Sequence, residues 1–254
     1  MNRIEDYARP SVAADAVVFG LDTAQAESRG GLKQRTLKAL LIRRGEEPFA
    51  GRYALPGGFL RTGETLEQAA QRELAEETGV IQPKLIQLGT FSRPDRDPRG
   101  WVVSCAFLAL TKTVALSTAA GSDAAEARWM QVSCTETDQG EALSITDDDG
   151  TLLLDTENGQ IKTNALAFDH AEIILAGFRR LRDEVLYHDL IFALMPELFA
   201  VSDLQQPYEI ITGTHTSPQN FRKKMASKLV ETEYYNEAAA HRTAKLYRRK
   251  DGIT

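Results

Sequence analysis

The sequence predicts an α/β protein of strands and two helices, followed by a small helix–turn–helix domain closed by a hairpin. Three observations predict it. Strand-like apolar runs are interrupted by two amphipathic helical stretches through residues 14–185, the mixture expected of a layered α/β fold. A glycine-rich loop at 53–63 opens directly into a helix rich in carboxylates. The C-terminal stretch then changes to helix, turn, basic helix and two strands.

Taken in order, ADAVVFGL (14–21) and RTLKALLIRR (35–44) read as strands, with AESRGG between them as a turn. YALPGGFLRTG is the glycine loop that leads into a helix at 66–78. Thr65 and Gln68 form a capping-box pattern at its start, and Gly79 stands where a left-handed glycine ends a helix. KLIQLGTF and WVVSCAFLALT are two further strands that bracket the polar loop SRPDRDPRG, and ARWMQV (127–132) is another. Residues 134–165 read as an insertion, in which TDDDGTLLLDTENGQ (146–160) carries hairpin turn signals. Asp169 is placed to N-cap a helix through AEIILAGFRRLRDEV, where Ile173, Ile174, Phe178 and Leu181 recur at helical spacing. The domain boundary falls near 184–200, dividing the chain into 1–183 and 184–254.

In the second domain Ser202 or Asp203 is the expected N-cap of a helix bearing Leu204, Tyr208 and Ile211 and closed by Gly213. After a short turn Ser217 caps the next helix and Pro218 takes its first position. Phe221, Met225 and Leu229 form its apolar stripe at i, i+4 and i+8. LVETEYY and AKLYRRK, joined by a polar turn, read as a two-stranded wing with Arg242 near the tip.

Composition excludes several classes. The apolar share of 43% and charged share of 26% are ordinary for a soluble globular protein. No apolar run approaches the ~18 residues of a membrane span, and the opening segment has acids and a proline where a signal peptide is apolar. A cytoplasmic protein with no membrane partner is expected. Cys105 and Cys134 are the only cysteines, too few for a disulfide framework or a thiolate zinc site, and Cys105 reads as a buried strand residue. Charge is uneven: residues 204–254 carry nine Lys/Arg and five Asp/Glu, leaving 21 and 31 for the remainder. An acidic body with a basic tail suits a nucleotide–metal site joined to a nucleic-acid reader.

The chemistry is densest at 58–80. Glu73, Glu76 and Glu77 stand at i, i+3 and i+4 and so share one helix face. Three carboxylates within about two turns repel one another unless a cation compensates them, and oxygen-only donors select Mg2+ or Mn2+. Arg72 and Glu64 are spaced to pair and hold helix and loop in register. Gly58, Glu64, Arg72, Glu73, Leu74, Glu76, Glu77, Gly79 and Val80 fit G-x5-E-x7-R-E-U-x-E-E-x-G-U without departure, where U is a bulky aliphatic. The segment therefore resembles the Nudix hydrolase family. The resemblance implies an α/β/α sandwich with a mixed sheet, and metal-dependent hydrolysis of a nucleoside diphosphate linked to another group. It also places a metal-binding carbonyl on Gly57. Candidate catalytic residues are then Glu77, Glu76, Arg72 and Glu64, and candidate metal ligands Gly57, Glu73, Glu76 and Glu77. A general base outside the box is common in the family; Glu126, Glu136 and Glu141 are the alternatives.

The loop at 92–101 supplies Arg93, Asp95, Arg96, Asp97 and Arg99 as candidate substrate-binding residues. Arginine forks suit phosphates, and aspartates suit ribose hydroxyls. F-x-x-P-x-R-D-P-R-G before a V-V-S strand resembles Nudix proteins of NAD metabolism that bind ADP-ribose. In the tail, the helix face opposite Phe221 and Met225 offers Gln219, Asn220, Arg222, Lys223 and Lys228, with Ser217 at its cap and Arg242 on the wing. Cations for phosphates and amides for base edges make these the candidate DNA-binding residues.

Taken together, nearly the whole chain apart from the 134–165 insertion resembles the Nudix-related transcriptional regulators of NAD metabolism, in which a winged helix follows the Nudix domain. Two departures stand out. That family's wing commonly reads G-R-P-A, whereas His241, Arg242, Thr243 and Ala244 stand here, and its box is often damaged while this one is intact. The resemblance implies a homodimeric regulator of a double-stranded DNA operator that senses, and also hydrolyses, ADP-ribose or a related nucleotide sugar. The alternative is a plain Nudix pyrophosphohydrolase whose tail serves dimerisation.

Overall fold

The computed structural model describes residues 3, 7–23, 35–112, 114, 124–137, 140–236 and 244–250. Strands β1 (Ser11–Thr23), β2 (Arg35–Arg44), β3 (Tyr53–Ala54), β4 (Gly57–Phe59), β5 (Leu85–Phe91), β6 (Val102–Thr111) and β7 (Ala124–Thr137) build the central sheet, which β8 (Gly140–Thr146), β9 (Leu152–Glu157) and β10 (Gln160–Asn164) extend. The order is β10-β9-β8-β7-β2-β1-β6-β5, with β3 paired to β2 and β4 to β1. β1 and β6 run parallel and their other neighbours antiparallel, so the sheet is mixed, as the resemblance implies.

Alternation along β1 sets the layers. Ala14, Ala16 and Val18 meet Ala69, Ala70 and Leu74 of helix α1 (Leu66–Thr78) on one face. Val17 and Phe19 meet Ile173, Ile174, Phe178 and Leu181 of helix α2 (His170–Tyr187) on the other. Phe178 stands edge-on to Phe19, with ring centroids 6.2 Å apart. Gly177 allows this approach, since a Cβ there would lie 3.0 Å from Val17. Cys105 is buried, as expected.

The 134–165 insertion is part of the sheet rather than an excursion from it. β8, β9 and β10 follow β7 as successive antiparallel strands, and Leu143, Ile145, Leu153 and Leu154 join the main core. Asp147 closes the first turn by accepting the Asp149 and Thr151 N–H groups at 3.1 and 2.7 Å. Asn158 and Gly159 close the second with φ of 54° and 71°, the left-handed pair that a two-residue hairpin demands. β10 is short, has no buried residue, and shifts register between Ile161 and Thr163.

The second domain comprises α3 (Val201–Thr212), α4 (Pro218–Met225) and a three-stranded sheet of β11 (Phe199–Ala200), β12 (Leu229–Asn236) and β13 (Ala244–Arg249), in the order β11-β13-β12. Two boundaries differ from expectation. The N-cap of α3 is Ala200, not Ser202 or Asp203, because Ala200 is held as a strand against Leu246. Asp203 instead accepts the Ala200 N–H at 3.2 Å from inside the helix. α4 ends at Met225 and passes into a 3-10 turn, Ala226–Lys228, so Leu229 opens β12 instead of extending the stripe. The AESRGG turn and the wing tip with Arg242 lie outside the described residues.

One apolar cluster runs from the sheet through α2 into Leu204, Tyr208, Ile211, Phe221 and Met225, so the second domain packs directly on the first. Among the described residues no helix is long and apolar enough to cross a membrane.

Candidate functional site

α1 starts as its sequence dictates. Thr65 Oγ1 accepts the Gln68 N–H at 3.2 Å and Gln68 Oε1 accepts the Thr65 N–H at 2.8 Å, while Gly79 ends the helix at φ 72°. Its three carboxylates occupy different environments. The Glu77 carboxylate accepts the Gly57 N–H at 2.9 Å. Burial, aided by the like charges of Glu73 and Asp15, pushes its pKa up to about 8. Glu73 lies against Gly58, where an added Cβ would push its carboxylate aside. Glu73 Oε1 accepts from Arg72 Nη1 at 2.5 Å. Glu76 is exposed and lies 3.3 Å from Arg72 and 3.4 Å from Arg61.

Arg72 also grips Glu64 with two arms, Nε to Oε1 at 2.6 Å and Nη2 to Oε2 at 3.0 Å, and donates to the Phe59 carbonyl at 3.2 Å. The Arg72 fork holds Glu64 down at about 2. Helix and glycine loop are thus fastened as their spacing implies. Among the described residues no three His, Cys, Asp or Glu side chains converge on a metal position by themselves. The donors at hand are oxygens, and Glu77 is a buried acid that keeps its proton up to about pH 8 unless a cation joins it. That chemistry fits a hard divalent cation whose remaining positions come from phosphate and water.

The arginine loop divides in two. Arg96 is buried and commits both arms to Asp169, Nε to Oδ2 at 2.9 Å and Nη2 to Oδ1 at 2.8 Å, with Asp15 3.6 Å away. Expected to offer its fork to a phosphate, it instead anchors the loop to the start of α2. For the same reason Asp169, although at the N-cap, makes no side-chain cap bond. Arg93 pairs with Asp95 and Glu172, each at 2.9 Å, and faces α2 as well. Arg99 is oriented differently: buried Asp97 accepts from its Nε at 3.0 Å and Nη2 at 2.7 Å, and the guanidinium lies 5.1 Å from the Phe59 ring beside the glycine strand.

The helix α4 is capped by Ser217, whose side chain accepts the Asn220 N–H at 3.4 Å. Buried Phe221 and Met225 fix it to the domain, Phe221 against Tyr208 with centroids 5.3 Å apart. Gln205 donates to the Thr216 carbonyl at 2.6 Å and Glu209 accepts the Thr216 N–H at 2.8 Å, which sets the turn between the two helices. Gln219, Asn220, Arg222 and Lys223 are exposed together. Lys228 is not with them. It sits in the 3-10 turn with Nζ 2.7 Å from the buried Asp189 carboxylate, which also lies 3.6 Å from Arg249.

The NUDIX domain model matches residues 29–148, and the NrtR DNA-binding winged helix domain model matches residues 191–249. The ADPR responsive transcriptional repressor NtrR of Acinetobacter baylyi is 32% identical over 96% of this chain and 83% of its own length. The chain belongs to the NrtR family of Nudix regulators. Among solved structures, a MutT/nudix family protein from Enterococcus faecalis superposes with a TM-score of 0.77 at 30% identity, over 98% of this chain and 90% of that one. Shewanella oneidensis NrtR complexed with a 27mer DNA gives 0.65 at 30% identity, over 94% and 93%. Nudix hydrolases use divalent metal ions, in keeping with the oxygen donors of α1.

The sequence does not single out three side chains of this NrtR-family site. Asp15 is buried in β1, opposite Gly57, and accepts from Ser104 Oγ. His170 is buried with Nδ1 accepting the Leu55 N–H at 2.8 Å, and burial pushes its pKa down, so it is a neutral brace for the strand before the glycines. Arg44 ends β2 within electrostatic reach of Glu77. A charge inside the apolar run ADAVVFGL is a signal for Asp15; Arg44 and His170 have none.

Proposed function

We propose that the chain is a transcriptional regulator whose Nudix domain, 1–183, binds and hydrolyses ADP-ribose or a related NAD-derived nucleotide, and whose winged helix, 184–254, binds operator DNA. What carries the reading is one combination. An intact carboxylate helix packs on one face of the sheet and an exposed basic helix belongs to the core on the other face, in a chain that aligns almost end to end with an ADPR-responsive repressor.

Glu73, Glu76, Glu77 and the Gly57 carbonyl are the proposed ligands of Mg2+ or Mn2+. When bound, the cation would draw phosphate oxygens together, neutralise developing charge and lower the pKa of a water. Glu77 is the proposed activator of that water as well as a ligand, and Arg72 and Glu64 are proposed to keep the helix against the glycine loop. Of the possible outside bases, Glu126 is paired with Arg128 at 2.8 Å, while the side chains of Glu136 and Glu141 lie outside the described residues. Arg99 is the loop's proposed phosphate contact; Arg93, Arg96, Asp95 and Asp97 hold the loop in place. Gln219, Asn220, Arg222 and Lys223, with Arg242 on the wing, are the proposed DNA contacts of a homodimer, because winged-helix operators are usually palindromic.

The test is a gel shift of the full-length protein on the region upstream of its own gene, with and without ADP-ribose, beside an assay for AMP release in Mg2+. Retention on DNA that ADP-ribose alters is the expected result. AMP release without any DNA retention would leave the plain pyrophosphohydrolase.

A further inference from the structure

The basic helix and the wing meet at one point. Lys228 closes the 3-10 turn that follows α4, and its carbonyl accepts the Lys250 N–H at 2.9 Å. The next residue, Leu229, opens β12 and pairs with Arg249 at the end of β13. The end of α4 and the base of the hairpin therefore form one unit, on which Lys228 and Arg249 both stand. Both reach the same carboxylate. Asp189 lies between α2 and the 3-10 turn Leu190–Leu194, just ahead of the residues that match the winged helix model. It occupies the N-cap of that turn yet makes no side-chain cap bond. Instead, one of its buried oxygens lies 2.7 Å from Lys228 Nζ and the other 3.6 Å from Arg249 Nη2. The Arg249 guanidinium also lies 5.6 Å from the ring centroid of Phe192, in the same turn.

A buried carboxylate between two cations adds little net stability, because desolvation offsets the attraction. The domains are already bound by the apolar cluster that runs from the sheet into Leu204, Ile211 and Phe221. Apolar attraction is non-directional, however, and does not by itself fix an orientation. The ionic cluster supplies one: Asp189 meets both cations only when the end of α4 and the base of the wing stand at a single place beside the end of α2. The other end of α2 is held by buried charge as well. Asp169, immediately before it, takes both arms of Arg96 from the arginine loop. The 18 residues of α2, about 27 Å of helix, thus join the loop of one domain to the orienting carboxylate of the other.

We infer that Asp189 is a positioning residue for DNA recognition, which fixes α4 and the wing as one body against α2 and, through α2, against the arginine loop. This rests on the reading of the chain as an operator-binding protein. Buried and anionic, Asp189 is no DNA contact itself; it acts through the placement of Lys228 and Arg249.

The experiment measures the Kd of the full-length protein for the region upstream of its own gene and for an unrelated duplex of equal length, at one salt concentration. Wild type, Asp189→Asn and Asp189→Glu are compared, each with and without ADP-ribose. Asp189→Asn keeps the side-chain shape and removes the charge, and Lys228 and Arg249, 30% and 39% exposed, can then turn to water. Its Kd for the upstream region is expected to rise about tenfold or more, as when the binding-competent arrangement is populated about a tenth of the time. Its Kd for the unrelated duplex, set by cations on phosphates, should stay at the wild-type value. Asp189→Glu restores the charge and should recover part of the lost discrimination. The change in upstream Kd that ADP-ribose causes in wild type should shrink in Asp189→Asn. Wild-type discrimination in Asp189→Asn overturns the proposal, and so does an equal loss on both duplexes, which marks a folding defect. An undiminished ADP-ribose effect in Asp189→Asn overturns the link through α2. A wild type that does not distinguish the two duplexes overturns the operator reading and the proposal with it.

Discussion

Glu77 carries two consequences of being a buried acid. Its pKa stands near 8 in the folded protein against an ordinary value of 4.5. Between those values the folded state keeps a proton that the unfolded state has lost, so the metal-free protein should lose stability as pH rises from about 4.5 to about 8 and change little above that. Glu77→Gln cannot ionise. Melting of the metal-free variant across that range should give a flatter profile than wild type and a higher Tm at its alkaline end; parallel profiles would show that the carboxyl ionises without cost. Divalent cation binding should release a proton and strengthen up to about pH 8. The same substitution should lower kcat by about two orders of magnitude or more, and activity persisting in excess EDTA would sink the assignment. Two arginines of one loop should behave in opposite ways. Arg96 is 4% exposed and Arg99 44%. Arg96→Ala strands buried Asp169 and should destabilise the protein by about 3–5 kcal/mol. Arg99→Ala leaves Asp97 the residue 99 backbone N–H at 2.9 Å, so it should cost the fold less than Arg96→Ala does, and it should weaken ADP-ribose binding by about 1.5–3 kcal/mol.

At the scale of elements, α4 is the sharpest case. Phe221 and Met225 bind it to the core while Arg222 and Lys223 face outward, so replacing both cations with Ala should leave folding and hydrolysis intact and abolish operator binding. Each phosphate interaction removed should reduce the slope of log K against log salt by about 0.9. A double variant that falls to monomers, from a wild type that never retains DNA, would make the tail an assembly element. What the sequence discloses here is local. The caps of α1 and α4, Gly79 and Gly213 are hydrogen-bond patterns closed within a few residues, and the strand runs follow from their own apolar spacing; both form where the sequence places them. Pairings decided by topology are not legible in it. α3 starts early because Ala200 pairs with Leu246, and Lys228 leaves the basic face because Asp189, far back in the chain, claims it. Arg96 reads as free because its partner Asp169 is 73 residues away. Arg44 and His170 take on meaning only when the sheet sets them beside Phe168 and the glycine loop.

The whole molecule is organised around a sheet that the insertion lengthens by three strands, with the second domain closing one face through a shared apolar cluster. Lengthening a sheet moves its edge outward without removing it, and β10 is now that edge. Unpaired edge N–H and C=O groups are a template on which another molecule's strand can add. β10 carries three deterrents: five residues only, a bulge, and Lys162 as the bulged residue, its Nζ 3.1 Å from Glu157. A passing strand would have to bury that charge and straighten the bulge before pairing. Colloidal stability therefore depends on a residue remote from both functional sites. Lys162→Val should preserve hydrolysis and DNA binding in dilute solution yet give light scattering that climbs steeply with protein concentration, and scattering that stays flat would assign the protection to the bulge alone.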